Sequence, residues 1–267
     1  MVSVYAEEYV DLLAAAANRT WRTLTDDLRL LTVGTAPVQQ TVAALYDDLT
    51  AELLGSRQVD VRKSVTRFFD ELFALVVRRH VLGISAIEPR RDAATEAQHV
   101  RCIRSLRRTL SADPFDGVDD RFAEDAARAI NASRALLDAL RVTSRTVTAA
   151  ATENWPPTSP GCRRALTRLR MCALCDGRAD WNALRPCHGL CVNVARGCLA
   201  GVAVQLGPRW ESFVDGLAEL VARSHGPHND LELVSSTLDG AVARAVLQLI
   251  RNAPKFYSKV SLLLHSL

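Results

Sequence analysis

The chain has 267 residues, 48% of them hydrophobic, enough for a substantial core that needs neither metal nor disulfides merely to fold. Its 33 basic and 30 acidic residues leave a net charge of +3, far from the strongly basic domains that coat nucleic acid. No run approaches the roughly 18 apolar residues of a membrane span. The opening MVSVYAEEYVDL places two glutamates where a signal peptide needs an unbroken apolar core, so the start reads as cytosolic or as that of an incomplete chain.

In chain order the periodicity is helical throughout. From Asp60 to Leu82, apolar residues fall at Val61, Val65, Phe68, Phe69, Leu72, Phe73 and Val76, one broad face of a helix. Between Val118 and Trp155 there is neither Gly nor Pro, and Phe122, Ala126, Ile130, Leu137 and Leu140 share one side of a long helix. Trp210, Phe213, Val214, Leu217 and Val221 repeat the pattern, as do Leu238, Val242 and Leu249. No period-two alternation is flanked by hairpin turns. Breaks are expected at Gly34 to Pro37, Gly55, Gly83 to Pro89, Pro114 to Gly117, Pro156 to Gly161, Pro186, Gly207 to Pro208, Gly226 to Pro227 and Pro254. The expected fold is therefore all-α, a single elongated multi-helix body over residues 1–267. Within it, N-terminal helices occupy 1–153, a cysteine-rich segment 162–201 and C-terminal helices 202–267.

Five of the seven cysteines lie in the 27 residues from Cys172 to Cys198. Two close pairs, Cys172 with Cys175 and Cys187 with Cys191, have the spacing of a tetrahedral zinc site. Against zinc, LTRLRMCALC continues an apparent helix where a Gly-containing knuckle is expected. Cys187, Cys191 and Cys198 also fall within about 40° of one another on a helix, which suits disulfides to neighbouring helices. A redox reading of Cys-Ala-Leu-Cys wants a strand before it, and no strand is expected. Buried free thiols alone do not account for such density. An odd count leaves at least one thiol unpaired within the chain. The sequons Asn18-Arg19-Thr20 and Asn131-Ala132-Ser133 add a secretory signal, with Asn131 about 180° round its helix from Phe122.

Several of these residues together resemble a known family. Cys162-Arg-Arg-Ala, Cys172-x-x-Cys175, Arg-Pro-Cys187-x-x-x-Cys191-x-Asn-Val and Gly197-Cys198-Leu-Ala200, followed by Trp210 and Phe213, resemble the cysteine-rich segment of the glypicans. TRFFDELFALV within Val65 to Val77 resembles a glypican helix. Asp113-Pro114-Phe115 resembles the family's Asp-Pro-Phe-Gly turn, with Cys102 at a suitable distance before it, and the likeness runs over roughly residues 4–260.

The resemblance implies an all-α, disulfide-linked core of a cell-surface heparan sulfate proteoglycan, a glycoprotein held by a GPI anchor. It implies a co-receptor that binds and presents secreted morphogens and growth factors to their receptors, without enzymatic activity. It further implies that Cys162 pairs with Cys198, and that Cys102, Cys172, Cys175, Cys187 and Cys191 pair outside this stretch. The sequence contains no Ser-Gly dipeptide of the kind that carries heparan sulfate, and no anchor signal is recognisable. The last eight residues depart from the family, and the expectation is a partial chain lacking its exported start and its stalk. The rival reading is an intracellular zinc-binding adaptor using Cys172, Cys175, Cys187 and Cys191.

Other motifs read more plainly. Arg101 to Arg108 and Arg163 to Arg170 are basic enough to bind sulfated glycan, or are solvated helix faces. Asp113 to Glu124 has the outer ligands of an EF-hand loop, but Phe115, Gly117 and Val118 stand at inner ligand and glycine positions, so a turn leading into an acidic helix start is expected instead. The six histidines form no catalytic constellation, and no cofactor is implied.

Overall fold

The structure is a computed structural model that describes residues 2–28, 35–83, 93–110, 113–152, 159–171, 188–226 and 229–265. Among them are eight α-helices and no strand: α1 (Val2–Arg22), α2 (Thr35–Leu54), α3 (Val61–Val76), α4 (Ala93–Arg107), α5 (Val118–Thr152), α6 (Pro160–Met171), α7 (His188–Ser224) and α8 (Leu231–His265). The all-α expectation is correct. The chain divides into two compact units, residues 1–138 with 221–267, and residues 139–220.

In the first unit, α3 is the central element. Asp60 caps it by accepting the Lys63 backbone N–H at 3.1 Å. Its expected face, Val65, Phe68, Phe69, Leu72, Phe73 and Val76, is buried, and α2, α4 and α8 pack around it. α1 and α3 each end in a π-helical turn, Thr23–Asp27 and Val77–Val81, where Leu28 N–H reaches Thr23 O and Leu82 N–H reaches Val77 O. α8 is capped by Asp230, whose Oδ1 accepts the N–H groups of Glu232 and Leu233. Its stripe Val234, Leu238, Val242, Val246 and Leu249 is buried against α1 and α3. By length and composition α8 is the one helix among the described residues able to cross a membrane, which the sequence reading did not anticipate; here that apolar stripe builds the core.

The Pro114–Gly117 turn plugs this core. Asp113 folds back on its own turn, accepting the N–H groups of Phe115 and Gly117. Asp116 and Gly117 have φ of 57° and 71°, the left-handed conformation that makes glycine the favoured second residue. Phe115 is fully buried, its ring 5.3 Å from Phe69 and 6.4 Å from Phe73, and Phe73 meets Phe256 of α8 at 6.0 Å. Asn252 of α8 donates to Pro114 O at 3.3 Å, fixing the turn from the far end of the sequence.

Two carboxylates one helical turn apart on α2 hold the α2–α3 loop. Asp48 accepts from Ser64 and Arg57 at 2.6 Å each and from Arg67. Glu52 accepts the Val59 N–H at 2.6 Å and pairs with Arg134 of α5.

Some expectations did not hold. α7 continues through Gly207–Pro208 and α8 through Pro254. A proline removes one ladder hydrogen bond, which a helix of 37 or 35 residues absorbs, and Pro254 stands on the exposed side. In the second unit Ser159 accepts the Cys162 N–H at 3.2 Å and Pro160 opens α6, the position that spares a proline's missing donor. Val194 is the only buried apolar side chain described there, while Trp210 and Val214 of the expected buried stripe are 49% and 43% exposed.

Phe115→Ala is expected to destabilise the chain by about 3–5 kcal/mol, the usual cost of emptying a buried phenylalanine site, read as the shift of a denaturant midpoint. Asp48→Asn is expected to cost about 2–4 kcal/mol at neutral pH. Burial raises the Asp48 carboxyl, but Ser64, Arg67 and Arg57 outweigh it and hold it below the ordinary carboxylate value. A depressed carboxylate stabilises above its unfolded pKa and loses that stabilisation as pH falls through its folded pKa. The gap between Asp48→Asn and the parent should therefore narrow below about pH 4, as thermal melts across pH would show.

Candidate functional site

The cysteine-rich segment lies in the second unit. Cys162, near the start of α6, and Cys198 on α7 are joined by a disulfide with Cα atoms 5.5 Å apart, within the usual bridging range. Cys102 on α4 and Cys191 on α7 are half-buried free thiols. Cys172, Cys175 and Cys187 lie outside the described residues, so three of the four zinc candidates cannot be placed. Among the described residues no group of three or more His, Cys, Asp or Glu is placed to hold a metal ion, and nothing there supports the zinc-binding alternative. α7 begins at His188, leaving Cys191 and Cys198 as the described part of the expected cysteine stripe.

Both sequon asparagines, Asn18 and Asn131, are exposed. Their hydroxyl partners face inward: Thr20 is buried against the Tyr46 hydroxyl at 2.8 Å, and Ser133 is buried near Tyr9. His80 approaches Leu28 O at 3.3 Å, tying the ends of α1 and α3, and His225 Nδ1 lies 2.8 Å from Val221 O; both are contacts to backbone carbonyls.

The basic run Arg101 to Arg108 divides in the structure. Arg107 turns inward, its side chain 11% exposed, and lies between Asp70 of α3, at 2.6 Å, and Asp119 of α5. Its guanidinium sits 4.8 Å from the centroid of Phe115. Arg104 pairs with Glu71 at 2.6 Å and Arg108 with Asp70 at 3.2 Å. Arg101 and Arg108 face solvent. Burial pushes the Asp119 carboxyl above its ordinary value, Arg107 only partly offsetting it, and Asp119 Oδ1 has no partner among the described residues. Glu71 is raised for the same reason, with Arg104 opposing. Arg163, Arg164 and Arg168 are exposed along α6, and the Arg170 side chain lies outside the described residues.

Sequence reasoning missed that Arg107 is structural and that Lys63 and Arg67 of α3 stand across from α4. The signal for Arg107 was its place one helical turn after Ile103 on a face that also carries Leu106, both buried. The cross-helix neighbours left no linear signal.

The model of the glypican family matches residues 4–263 of this chain. Human glypican-5 is 32% identical over 220 residues, 82% of this chain and 35% of that protein. The crystal structure of the full-length glypican-1 core protein is similar with a TM-score of 0.59 at 24% identity, covering 97% of this chain and 56% of that one. The structure of Dally-like protein in complex with O-palmitoleoyl serine gives 0.53 at 22%, covering 97% and 57%. At these identities the structures establish the fold alone, and the chain spans about a third of the length of its human relative. With the family model matched over nearly every residue, the chain belongs to the glypican family.

Proposed function

We propose that the chain is core sequence of a heparan sulfate proteoglycan displayed by a GPI anchor on the outer face of the plasma membrane. It acts without catalysis, as a co-receptor that binds and presents secreted morphogens and growth factors to their receptors. The observation that carries this reading is the family match from residue 4 to residue 263. The extracellular setting is supported by the Cys162–Cys198 bridge, since such bonds persist in oxidising compartments. In this reading Asn18 and Asn131 carry N-glycans, and Cys102, Cys172, Cys175, Cys187 and Cys191 pair with cysteines beyond these 267 residues.

A specific cavity supports one class of ligand. Between α2, α3 and α4 lies a cavity of about 330 Å³ whose apolar lining includes Leu45, Phe68, Ala74, Leu75 and Val100, and which Arg67, Glu71, Arg78 and Arg104 also line. A relative has been seen with O-palmitoleoyl serine, and apolar walls of this kind suit an acyl chain on a secreted ligand.

Three outcomes are expected. Cys198→Ser, in a chain carrying an added signal peptide, should lower secretion several-fold. It should also cost about 4 kcal/mol by the chain-entropy account of a 36-residue separation; normal secretion with an unchanged unfolding midpoint would overturn the role given to the bridge. Ala44→Trp, placed on the exposed rim of the cavity, should abolish calorimetric binding of O-palmitoleoyl serine while leaving helicity intact, and binding retained at full strength would exclude this cavity. On cells, the anchored chain should retain a labelled secreted growth factor above the level of anchor alone. Equal retention would count against the co-receptor reading.

A further inference from the structure

Beside the apolar cavity, α3 and α4 form the walls of a second, open groove of about 680 Å³. Five cations line it: Lys63 and Arg67 from α3, and Arg101, Arg104 and Arg108 from α4. Two acids, Asp70 and Glu71, stand between them. Asp70 is occupied by Arg107 and Arg108, and Glu71 by Arg104, so the acids serve to hold guanidinium groups in place. Arg67 is braced in the same way by Asp48. Lys63, Arg67 and Arg108 remain 85%, 59% and 78% exposed despite their ion pairs. A guanidinium has five N–H donors, so one carboxylate contact leaves others for a ligand. The buried Nε of Arg104 has no acceptor among the described residues.

The cations form two rows. Lys63 and Arg67 are one helical turn apart, about 6 Å, and Arg101 to Arg108 span seven residues, about 10 Å. A single phosphate would want convergence on one point, whereas two parallel rows suit a linear polyanion with repeated charges. The groove has no aromatic side chain on which a base could stack, which disfavours nucleic acid. Thr66 and Ser105 line the same walls. Their hydroxyls donate to Arg62 O and Arg101 O, which leaves each oxygen able to accept from a glycan hydroxyl.

We infer that the α3–α4 groove is a binding site for a sulfated glycosaminoglycan chain, gripped by Lys63, Arg67, Arg101, Arg104 and Arg108. The site is formed by the protein's own side chains and stands whether or not this polypeptide itself carries heparan sulfate, so its failure and that of the proteoglycan reading are separable. One consequence is that the core can hold a segment of glycan alongside itself.

The test uses the secreted full chain and a heparin dodecasaccharide, with affinity measured by surface plasmon resonance over a salt series around 0.15 M. Lys63→Glu combined with Arg101→Glu and Arg108→Glu should weaken binding about tenfold or more and flatten its salt dependence, with circular dichroism unchanged. Arg163→Glu with Arg164→Glu on α6 should bind like the parent, and desulfated heparin should not bind. Should the triple variant lose helicity, Lys63→Glu alone carries the test, with a loss of about threefold expected for one contact at this ionic strength. Unchanged affinity in the folded groove variant, loss confined to the α6 variant, or equal binding of desulfated heparin would each overturn the proposal. Groove-dependent binding to phosphatidylserine vesicles with none to heparin would overturn it in favour of lipid headgroups.

Discussion

The first unit depends on one cation. Arg107 stands between Asp70 and Asp119, over the face of Phe115, and so ties α3, α4 and the start of α5 to the turn that closes the aromatic core. Removing it would leave the buried Asp119 without its counter-charge and Asp70 with only the exposed Arg108, a larger cost than the net worth of the pairs. The arrangement also explains why the turn before α5 holds its shape. Asp113 fixes the backbone locally, while Phe115 is held from above by the cation, from the sides by Phe69 and Phe73, and from behind by Asn252 through Pro114.

Helical periodicity was the most legible feature of the sequence. The face Val65 to Val76 and the stripe of α8 are buried as their spacing implies, because an amphipathic helix has only one way to hide a broad apolar face. The Asp-Pro-Phe segment also behaves as its composition suggests, a turn followed by an acidic helix start. Prolines misled, since Gly207–Pro208 and Pro254 looked like boundaries and are helix interior. The periodicity of Trp210 to Val221 misled in the other direction, because an apolar spacing does not say whether a partner surface is present.

The site was legible by type and not by arrangement. That Arg101 to Arg108 is basic is plain in the sequence, but about two helical turns of sequence cannot show that Arg107 points inward while Arg101 and Arg108 line the groove with Lys63 and Arg67. Those cations are some forty residues apart and meet only because α3 and α4 pack side by side. The alternation of anchoring acids and exposed cations along this contact has a physical logic. Each carboxylate fixes a flexible side chain in advance, lowering the entropy lost when a ligand arrives.

The division of the chain has a bearing on how it is made. The first unit is discontinuous, built from residues 1–138 and 221–267, so α8 and its contacts with α1, α3 and the Pro114 turn arrive only after the intervening 82 residues have been synthesised. The bridge from Cys162 to Cys198 lies wholly inside that insertion. Oxidation can therefore cross-link the inserted segment before the last helix of the first unit has been made. Contacts of such long sequence separation make closure the slow step. A chain still lacking α8 would then leave bare the side of Phe73 that meets Phe256 and the faces of α1 and α3 that α8 covers, the kind of apolar surface by which quality control retains a nascent protein.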